Sequence, residues 1–140
     1  MKSKIYRVPE PNLPLEISGK GNKGLLLVIN QADKQVHENT LNGLVKAIQY
    51  DINEDVTIIS CRDQEIKINT ILSEKAYSVV ILIGISPQQV GFNIRASKYF
   101  IYKMEHFSLL LTDSLEAMNA DKSKKMAFWQ ILQQLFLGKS

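Results

Sequence analysis

Residues 107–135 read FSLLLTDSLEAMNADKSKKMAFWQILQQL, in which an apolar run ends in a polar turn and a helical pattern follows. The apolar run at 107–111 predicts a strand, and continuous apolar strands are typical of sheets that are covered on both faces. In the turn, Asp113 and Glu116 have the spacing of a capping residue and the third residue of a helix. We therefore expect a short helix directly after the strand, with Asp113 as its cap.

A longer helix follows and begins at Asn119 or Asp121. Its apolar residues recur every three or four positions, as expected for a helix that packs one face on a core. They are Phe128, Ile131, Leu132 and Leu135, with Trp129 and Phe136 widening the face. Trp129 is accordingly predicted to belong to the core rather than to a binding surface.

Working back from this segment, three further apolar runs alternate with helical patterns. Strands are predicted at residues 25–29, 56–61 and 79–83. Helices are predicted at residues 36–50 and from near Asp63 or Gln64, and residues 99–103 and 107–111 have the pattern of a hairpin. This alternation predicts an α/β fold, a single three-layer α/β/α domain with a mostly parallel central sheet of about four strands.

Residues 1–24 differ from the rest and are predicted to form a flexible N-terminal arm before a domain that spans residues 25–140. Clustered prolines and glycines disfavour a helix or a central strand in this stretch. The arm nevertheless carries more apolar residues than a solvated linker needs, namely Ile5, Tyr6, Val8, Leu13, Leu15 and Ile17. Either the arm packs on its own domain or it binds a partner.

Composition limits the classes of function. The chain is 45% hydrophobic and has a net charge of +3 with scattered Lys and Arg residues, so we expect a packed core and no nucleic-acid footprint. The cluster Lys122, Lys124 and Lys125 is interpreted as a solvated helix face. Cys61, the single cysteine, is predicted to be a buried, inert thiol. No segment has the pattern of a signal peptide or a membrane span, which favours a cytoplasmic location.

Most catalytic and cofactor motifs are missing from the sequence. No strand is followed by a GxGxxG or GxxxxGKS loop, and no GxSxG turn is present. These absences count against dinucleotide-binding proteins, P-loop proteins and α/β hydrolases. His37 and His106 have no Cys, Asp or Glu partners at metal-ligand spacing, so we expect two surface histidines, no metal and no cofactor.

Two loops at strand ends remain as candidate sites. Gly84, Ser86 and Pro87 follow a strand, and ligands of open α/β sheets bind at such carboxyl ends. The same residues are also typical of an ordinary helix start, with Ser86 as the cap and Gln89 completing a capping box. The second loop contains Asp113, which is able to act as a base but is equally explained as a helix cap.

From about residue 25 onward, and most clearly in its last third, the chain resembles the psi subunit of bacterial DNA polymerase III, which has a uracil-DNA-glycosylase fold. The residues that carry this resemblance are Leu111, Thr112, Asp113 and Ser114 at the strand end and Trp129 and Gln130 in the last helix. Thr112 and Asp113 stand where the glycosylases have the His and Pro of a His-Pro-Ser motif. Because neither residue is able to supply the electrostatic stabilisation that the His provides, the resemblance implies a binding protein.

The resemblance implies a non-catalytic replication accessory protein that bridges the clamp loader to another replisome protein. Its expected partners are clamp-loader subunits and a chi-like protein, with indirect association with DNA and no membrane, cofactor or small-molecule substrate. By position, the arm is expected to contact the clamp loader through Ile5, Tyr6, Val8, Leu13 and Leu15. One alternative is a divergent glycosylase-like or other small α/β enzyme with a site near Ser86 and Asp113. Another is an α/β binding domain of a different pathway.

Overall fold

The computed structural model describes residues 16–62 and 68–138. Its strands are β1 (Glu16–Ser18), β2 (Leu25–Asn30), β3 (Val56–Cys61), β4 (Val79–Ile83), β5 (Ile101–Lys103) and β6 (Ser108–Thr112). Its helices are α1 (Gln31–Val36), α2 (Glu38–Ala47), α3 (Ile68–Glu74), α4 (Leu115–Ala120) and α5 (Lys122–Phe136), with a 3₁₀ helix at Gln88–Val90. The α/β class expected from the sequence is confirmed.

The described strands form one six-stranded sheet in the order β1-β3-β2-β4-β6-β5. The four inner strands are parallel, and each edge strand is antiparallel to its neighbour. The predicted number of about four strands is therefore too low. The edge strand β5 falls in the predicted hairpin, whereas β1 lies in the stretch that was assigned to the arm. The predicted hairpin is confirmed, since β5 pairs with β6 and places Ile101 opposite Leu110.

Both faces of the sheet are covered, as the continuous apolar strands indicate. Alternate residues of β2 point to opposite faces, so that Leu25, Leu27 and Ile29 pack in one cluster and Leu26 and Val28 pack in the other. The first cluster includes the apolar faces of α2 and α5, and the second includes residues of α3 and the 3₁₀ helix. No helix in the described part of the chain is long and apolar enough to cross a membrane.

The helix predicted at residues 36–50 is α2, which spans only Glu38–Ala47, and the preceding helix α1 was not predicted. The Asn30 side chain accepts a hydrogen bond from the Ala32 amide at 2.9 Å, which starts α1 directly after β2. His37 leaves the helical conformation and separates α1 from α2, and Gln49 adopts a positive φ of 65° after α2. The predicted start of the next helix near Asp63 or Gln64 lies outside the described residues.

Residues 16–24, which the sequence assigned to the arm, lie along β3 and the turn before it. Glu16 is paired with Ser60 in the sheet, and the Lys20 amide donates to the Asn53 carbonyl at 2.8 Å. Gly19 has a φ of 86°, and a Cβ at this position would lie 2.0 Å from the Val56 carbonyl oxygen, so only glycine fits. Residues 1–15 lie outside the described residues.

Candidate functional site

The two candidate loops meet at the carboxyl edge of the parallel strands. Gly84, which follows β4, donates its amide to the Thr112 carbonyl at the end of β6 at 3.0 Å. A Cβ on Gly84 would lie 3.0 Å from the Ser114 Cα, and the φ of Gly84 is 68°. The chain therefore needs glycine here to bring the end of β4 against the turn that contains Asp113.

Asp113 is held by side chains from two other segments. Its Oδ1 accepts a hydrogen bond from the Lys98 Nζ at 2.7 Å, and its Oδ2 accepts one from the Tyr99 hydroxyl at 2.7 Å. The Lys124 Nζ of α5 lies 3.8 Å from Oδ2, and Asp113 is only 9% exposed. The predicted role of Asp113 as a helix cap is wrong, because its carboxylate is directed toward these donors and away from the helix.

The surroundings of Asp113 fix its protonation state. Burial alone raises the pKa of the Asp113 carboxyl, but hydrogen bonds from Lys98 and Tyr99, together with the charges of Lys98 and Lys124, lower it below its ordinary value. Burial and the hydrogen bond to Asp113 raise the pKa of the Tyr99 hydroxyl. At neutral pH the carboxylate is ionised and both of its oxygens accept hydrogen bonds, which leaves it poorly placed to take a proton from a ligand.

Tyr99 is held in an unusual backbone conformation. It has a φ of 60°, which bulky residues rarely adopt, and its amide donates to the Leu111 carbonyl at 2.7 Å. Sequence reasoning missed Lys98 and Tyr99 as partners of Asp113. The predicted hairpin was the available signal, because pairing β5 with β6 brings the residue before β5 close to the end of β6.

The cap of α4 comes from Ser114 and from a distant residue. The Ser114 Oγ accepts a hydrogen bond from the Ala117 amide at 3.1 Å. The carboxylate of Asp33, on α1, accepts hydrogen bonds from the amides of Leu115 at 2.8 Å and Glu116 at 3.1 Å. Three of the first amides of α4 are thereby paired, and the turn at the end of β6 is occupied by contacts that stabilise the fold.

The loop at Ser86 behaves as the helix start that its sequence indicates. The Ser86 Oγ accepts a hydrogen bond from the Gln89 amide at 3.2 Å, and the 3₁₀ helix ends at Gly91, whose φ is 90°. The Gln89 side chain donates to the Arg62 carbonyl at 3.1 Å, so it joins this loop to the end of β3. Pro87 is buried.

A polar cavity lies at the same edge of the sheet, beside the ends of β2 and β3, and Ser86 is not among its lining residues. It has a volume of about 420 Å³ and is lined by Asn30, Gln31, Ala32, Gln35 and Arg62. The Arg62 Nε donates to the Gln31 Oε1 at 3.1 Å, so the two side chains are fixed together at its wall. Sequence reasoning did not identify these residues as a group.

No group of three His, Cys, Asp or Glu residues within residues 16–62 and 68–138 is arranged to hold a metal ion. The expectation of two surface histidines is wrong for His37, whose side chain is only 19% exposed. Its Nδ1 lies 3.0 Å from the Asn119 Nδ2, which joins the start of α2 to α4. His106 is exposed as predicted, and Cys61 is buried as predicted.

A second concave surface lies on the helices. Helices α2 and α5 enclose a groove of about 540 Å³ that we call the α2–α5 groove. Its lining residues are Asn39, Thr40, Gly43, Leu44, Ala47, Lys122, Lys125, Met126 and Trp129. Met126 is 57% exposed, and Trp129 is partly buried, packing against the core while it lines the groove. Trp129 therefore belongs to both the core and the surface, whereas the sequence predicted the core alone.

The positions of the psi-like pattern are divided between these two surfaces. Leu111 and Thr112 are buried at the end of β6, and Asp113 and Ser114 form the turn described above. On α5, Trp129 lines the α2–α5 groove and Gln130 is exposed. The predicted partner-binding residues lie outside the described residues; they are Ile5, Tyr6, Val8, Leu13 and Leu15.

No protein-family model matches the chain, and comparison with curated proteins gives no match.

Proposed function

We propose that the chain is a non-catalytic accessory protein of bacterial DNA replication, similar to the psi subunit and built on a domain related to the uracil-DNA-glycosylase fold. In this role it bridges the clamp loader to another replisome protein. The observation that supports the proposal best is the state of Asp113, which stands at the strand end where the glycosylases carry their motif. Its two carboxylate oxygens accept hydrogen bonds from Lys98 and Tyr99, which stabilises the fold and leaves the group poorly placed to act as a catalytic base.

A bridging protein needs two separate contact surfaces, and the chain offers candidates for both. The first is the part of the arm at residues 1–15, which precedes Glu16 of the edge strand β1. The second is the α2–α5 groove, whose lining is largely apolar and exposes Met126. Binding energy at protein interfaces is concentrated in such apolar and aromatic residues, which favours an interaction role for this face.

The experiment is a pull-down from cells of the source organism with the tagged full chain and with a chain that lacks residues 1–15. The truncation stops before Glu16 so that β1 and its pairing with β3 are kept. We expect the full chain to retain clamp-loader subunits and the truncated chain to lose them. A Tyr6→Ala/Leu13→Ala variant is expected to behave as the truncation, and a Ser3→Ala/Asn12→Ala variant serves as the matched control. If clamp-loader subunits were absent from every sample, the replication role would be rejected.

The alternative function is a glycosylase-like or other small α/β enzyme with a site near Ser86 and Asp113. The polar cavity favours a ligand at the carboxyl edge of the sheet, where ligands of open α/β sheets bind, although neither Ser86 nor Asp113 lines it. A uracil-excision assay on single-stranded and double-stranded DNA tests it directly. Activity that is lost on Asp113→Asn but kept on Glu105→Gln, which changes an exposed carboxylate, would favour the enzyme.

A further inference from the structure

We propose that the α2–α5 groove binds an apolar segment of a partner protein that carries acidic residues beside its apolar ones. This inference rests on the accessory role proposed above, and it adds the location of one contact surface and the chemistry of the partner. Two properties of the groove support it, namely its shape and the charge of its rim. The positive charge of the other segments that could occupy it argues against them.

The shape of the groove comes from two helices that run side by side in the same direction. Near their starts, Asn119 of α4, which directly precedes α5, donates to the Thr40 hydroxyl of α2 at 3.1 Å. Near their ends, the rings of Tyr50 and Phe136 are in edge contact with centroids 5.4 Å apart. Gly43 faces open space on the wall of the groove, since a Cβ built on it would meet no atom within 4 Å. A groove between two helices suits an inserted helix or strand with apolar anchors.

One wall of the groove is an uninterrupted stripe of α5. Lys122, Lys125, Met126 and Trp129 occupy positions i, i+3, i+4 and i+7 and therefore lie on the same side of the helix. Met126 is 57% exposed, so its side chain offers an accessible apolar contact on this wall. Trp129 presents a rigid aromatic surface at the base of this wall, and tryptophan is among the residues that most often dominate binding energy.

The rim of the groove is basic. Lys122 and Lys125 line it, and no Asp or Glu is among its lining residues. Among the described contacts, no carboxylate pairs with the Lys125 Nζ. This group donates a hydrogen bond to the Asn119 side-chain oxygen at 3.2 Å. Carboxylates on a bound segment would pair with these two lysines, which adds specificity and speeds association.

The same charge argues against the other two occupants. The arm of this chain carries Lys2, Lys4 and Arg7 against a single Glu10 before β1, so it would bring positive charge to a positive rim. A second copy that docked by the same face would place Lys122 and Lys125 against their own counterparts. Juxtaposed like charges are unfavourable, so we assign the groove to a separate protein with acidic residues.

The test places a photo-crosslinking amino acid at Met126 in the full-length chain, in cells of the source organism, with the same residue at exposed Gln134 as the control position. Crosslinked peptides are identified by mass spectrometry. We expect the Met126 position to capture, well above the Gln134 position, a segment of another protein that combines apolar residues with a net negative charge. Capture of the arm of this chain, of a second copy or of a basic segment, or no enrichment over Gln134, would overturn the proposal.

A synthetic peptide of the captured segment then tests the geometry by titration calorimetry. We expect Met126→Glu to weaken binding at least about tenfold, and Lys122→Glu/Lys125→Glu to weaken it about tenfold and to reduce its dependence on salt. Gln134→Ala, an exposed change at a position that does not line the groove, is expected to leave binding unchanged. Equal affinity of all variants for the peptide would place the segment elsewhere and reject the groove.

This design separates failure of the groove from failure of the replication role. If clamp-loader subunits are retained through the arm while Met126 captures nothing, the groove proposal fails and the accessory role stands. If Met126 captures an acidic, apolar segment and no sample retains clamp-loader subunits, the groove proposal stands and the accessory role is rejected.

Discussion

Replacing Asp113 by Ala is expected to destabilise the protein, because its carboxylate joins three segments of the chain. The hydrogen bonds from Lys98 and Tyr99 are both 2.7 Å long, and Asp113 is 9% exposed. Hydrogen bonds to a charged group contribute about 1.5–3 kcal/mol each, but the Lys98 side chain is 57% exposed, so its share is reduced by solvent. We therefore expect Asp113→Ala to lower the free energy of unfolding by about 2–3 kcal/mol.

The assay is urea unfolding followed by circular dichroism, with Trp129 fluorescence as a second probe of the same transition. Glu105→Ala is the matched control, because the Glu105 side chain is 87% exposed and its loss is expected to change stability by less than about 0.5 kcal/mol. Adding Tyr99→Phe completes a double-mutant cycle. The Tyr99–Asp113 contact is expected to give a coupling energy of about 1 kcal/mol, since the two residues share a direct hydrogen bond.

Acid unfolding supplies an independent check with a definite sign. The pKa of Asp113 is lower in the folded protein than its ordinary value, so its contribution to stability is fully present above about pH 3.9, its ordinary pKa, and is lost as the pH falls through the folded value. The difference in unfolding free energy between the wild type and Asp113→Ala should therefore shrink in strong acid.

A stability of Asp113→Ala within about 0.5 kcal/mol of the wild type would refute this reasoning, as would a difference that grows in acid. Residues kept for catalysis are often neutral or costly for stability, so that result would return Asp113 to consideration as a site residue.

Three further predictions concern packing and capping. Gly84→Ala is expected to cost about 2 kcal/mol, because the φ of 68° disfavours a side chain and the new Cβ would press on Ser114; urea unfolding measures the loss, and an unchanged midpoint would contradict it. Asp33→Ala should lower the free energy of unfolding by about 1–2 kcal/mol and speed hydrogen exchange at the Leu115 amide. Exchange as slow as in the wild type would argue that Asp33 does not cap α4. Phe128→Ala, at a position 2% exposed, should cost about 3–5 kcal/mol in the same unfolding assay, and a loss below about 1 kcal/mol would mean that this core position is not packed as described.

The inner strands could be predicted from the sequence because their signal is local. A strand buried on both faces, such as β4, has to be apolar at nearly every position, and the run itself reveals it. The edge strand β1 has no such signal, since Glu16 and Ser18 are exposed and its pairing depends on β3, far along the chain. The local sequence pattern therefore predicted the four inner strands but not the edge strand β1.

The residues of the strand-end turn were predicted, but their roles were not. Asp113 and Ser114 are both good helix caps, and only the approach of Lys98 and Tyr99 from another segment decides which of them caps α4. The α2–α5 groove was likewise beyond local reasoning. Periodicity identifies Trp129 as part of an apolar face, but the neighbour of that face depends on the packing of two helices that are distant in sequence.

Because Cys61 is buried, its reactivity reports local opening of the sheet without an introduced label. It is the single cysteine of the sequence, it is 1% exposed at the end of β3, and its Sγ lies 3.5 Å from the Ile29 carbonyl of β2. A thiol reagent reaches it only when this part of the sheet opens, so the labelling rate measures the free energy of that opening without any introduced probe. Labelling kinetics compared with global unfolding would tell whether β2 and β3 separate locally or only when the whole domain unfolds.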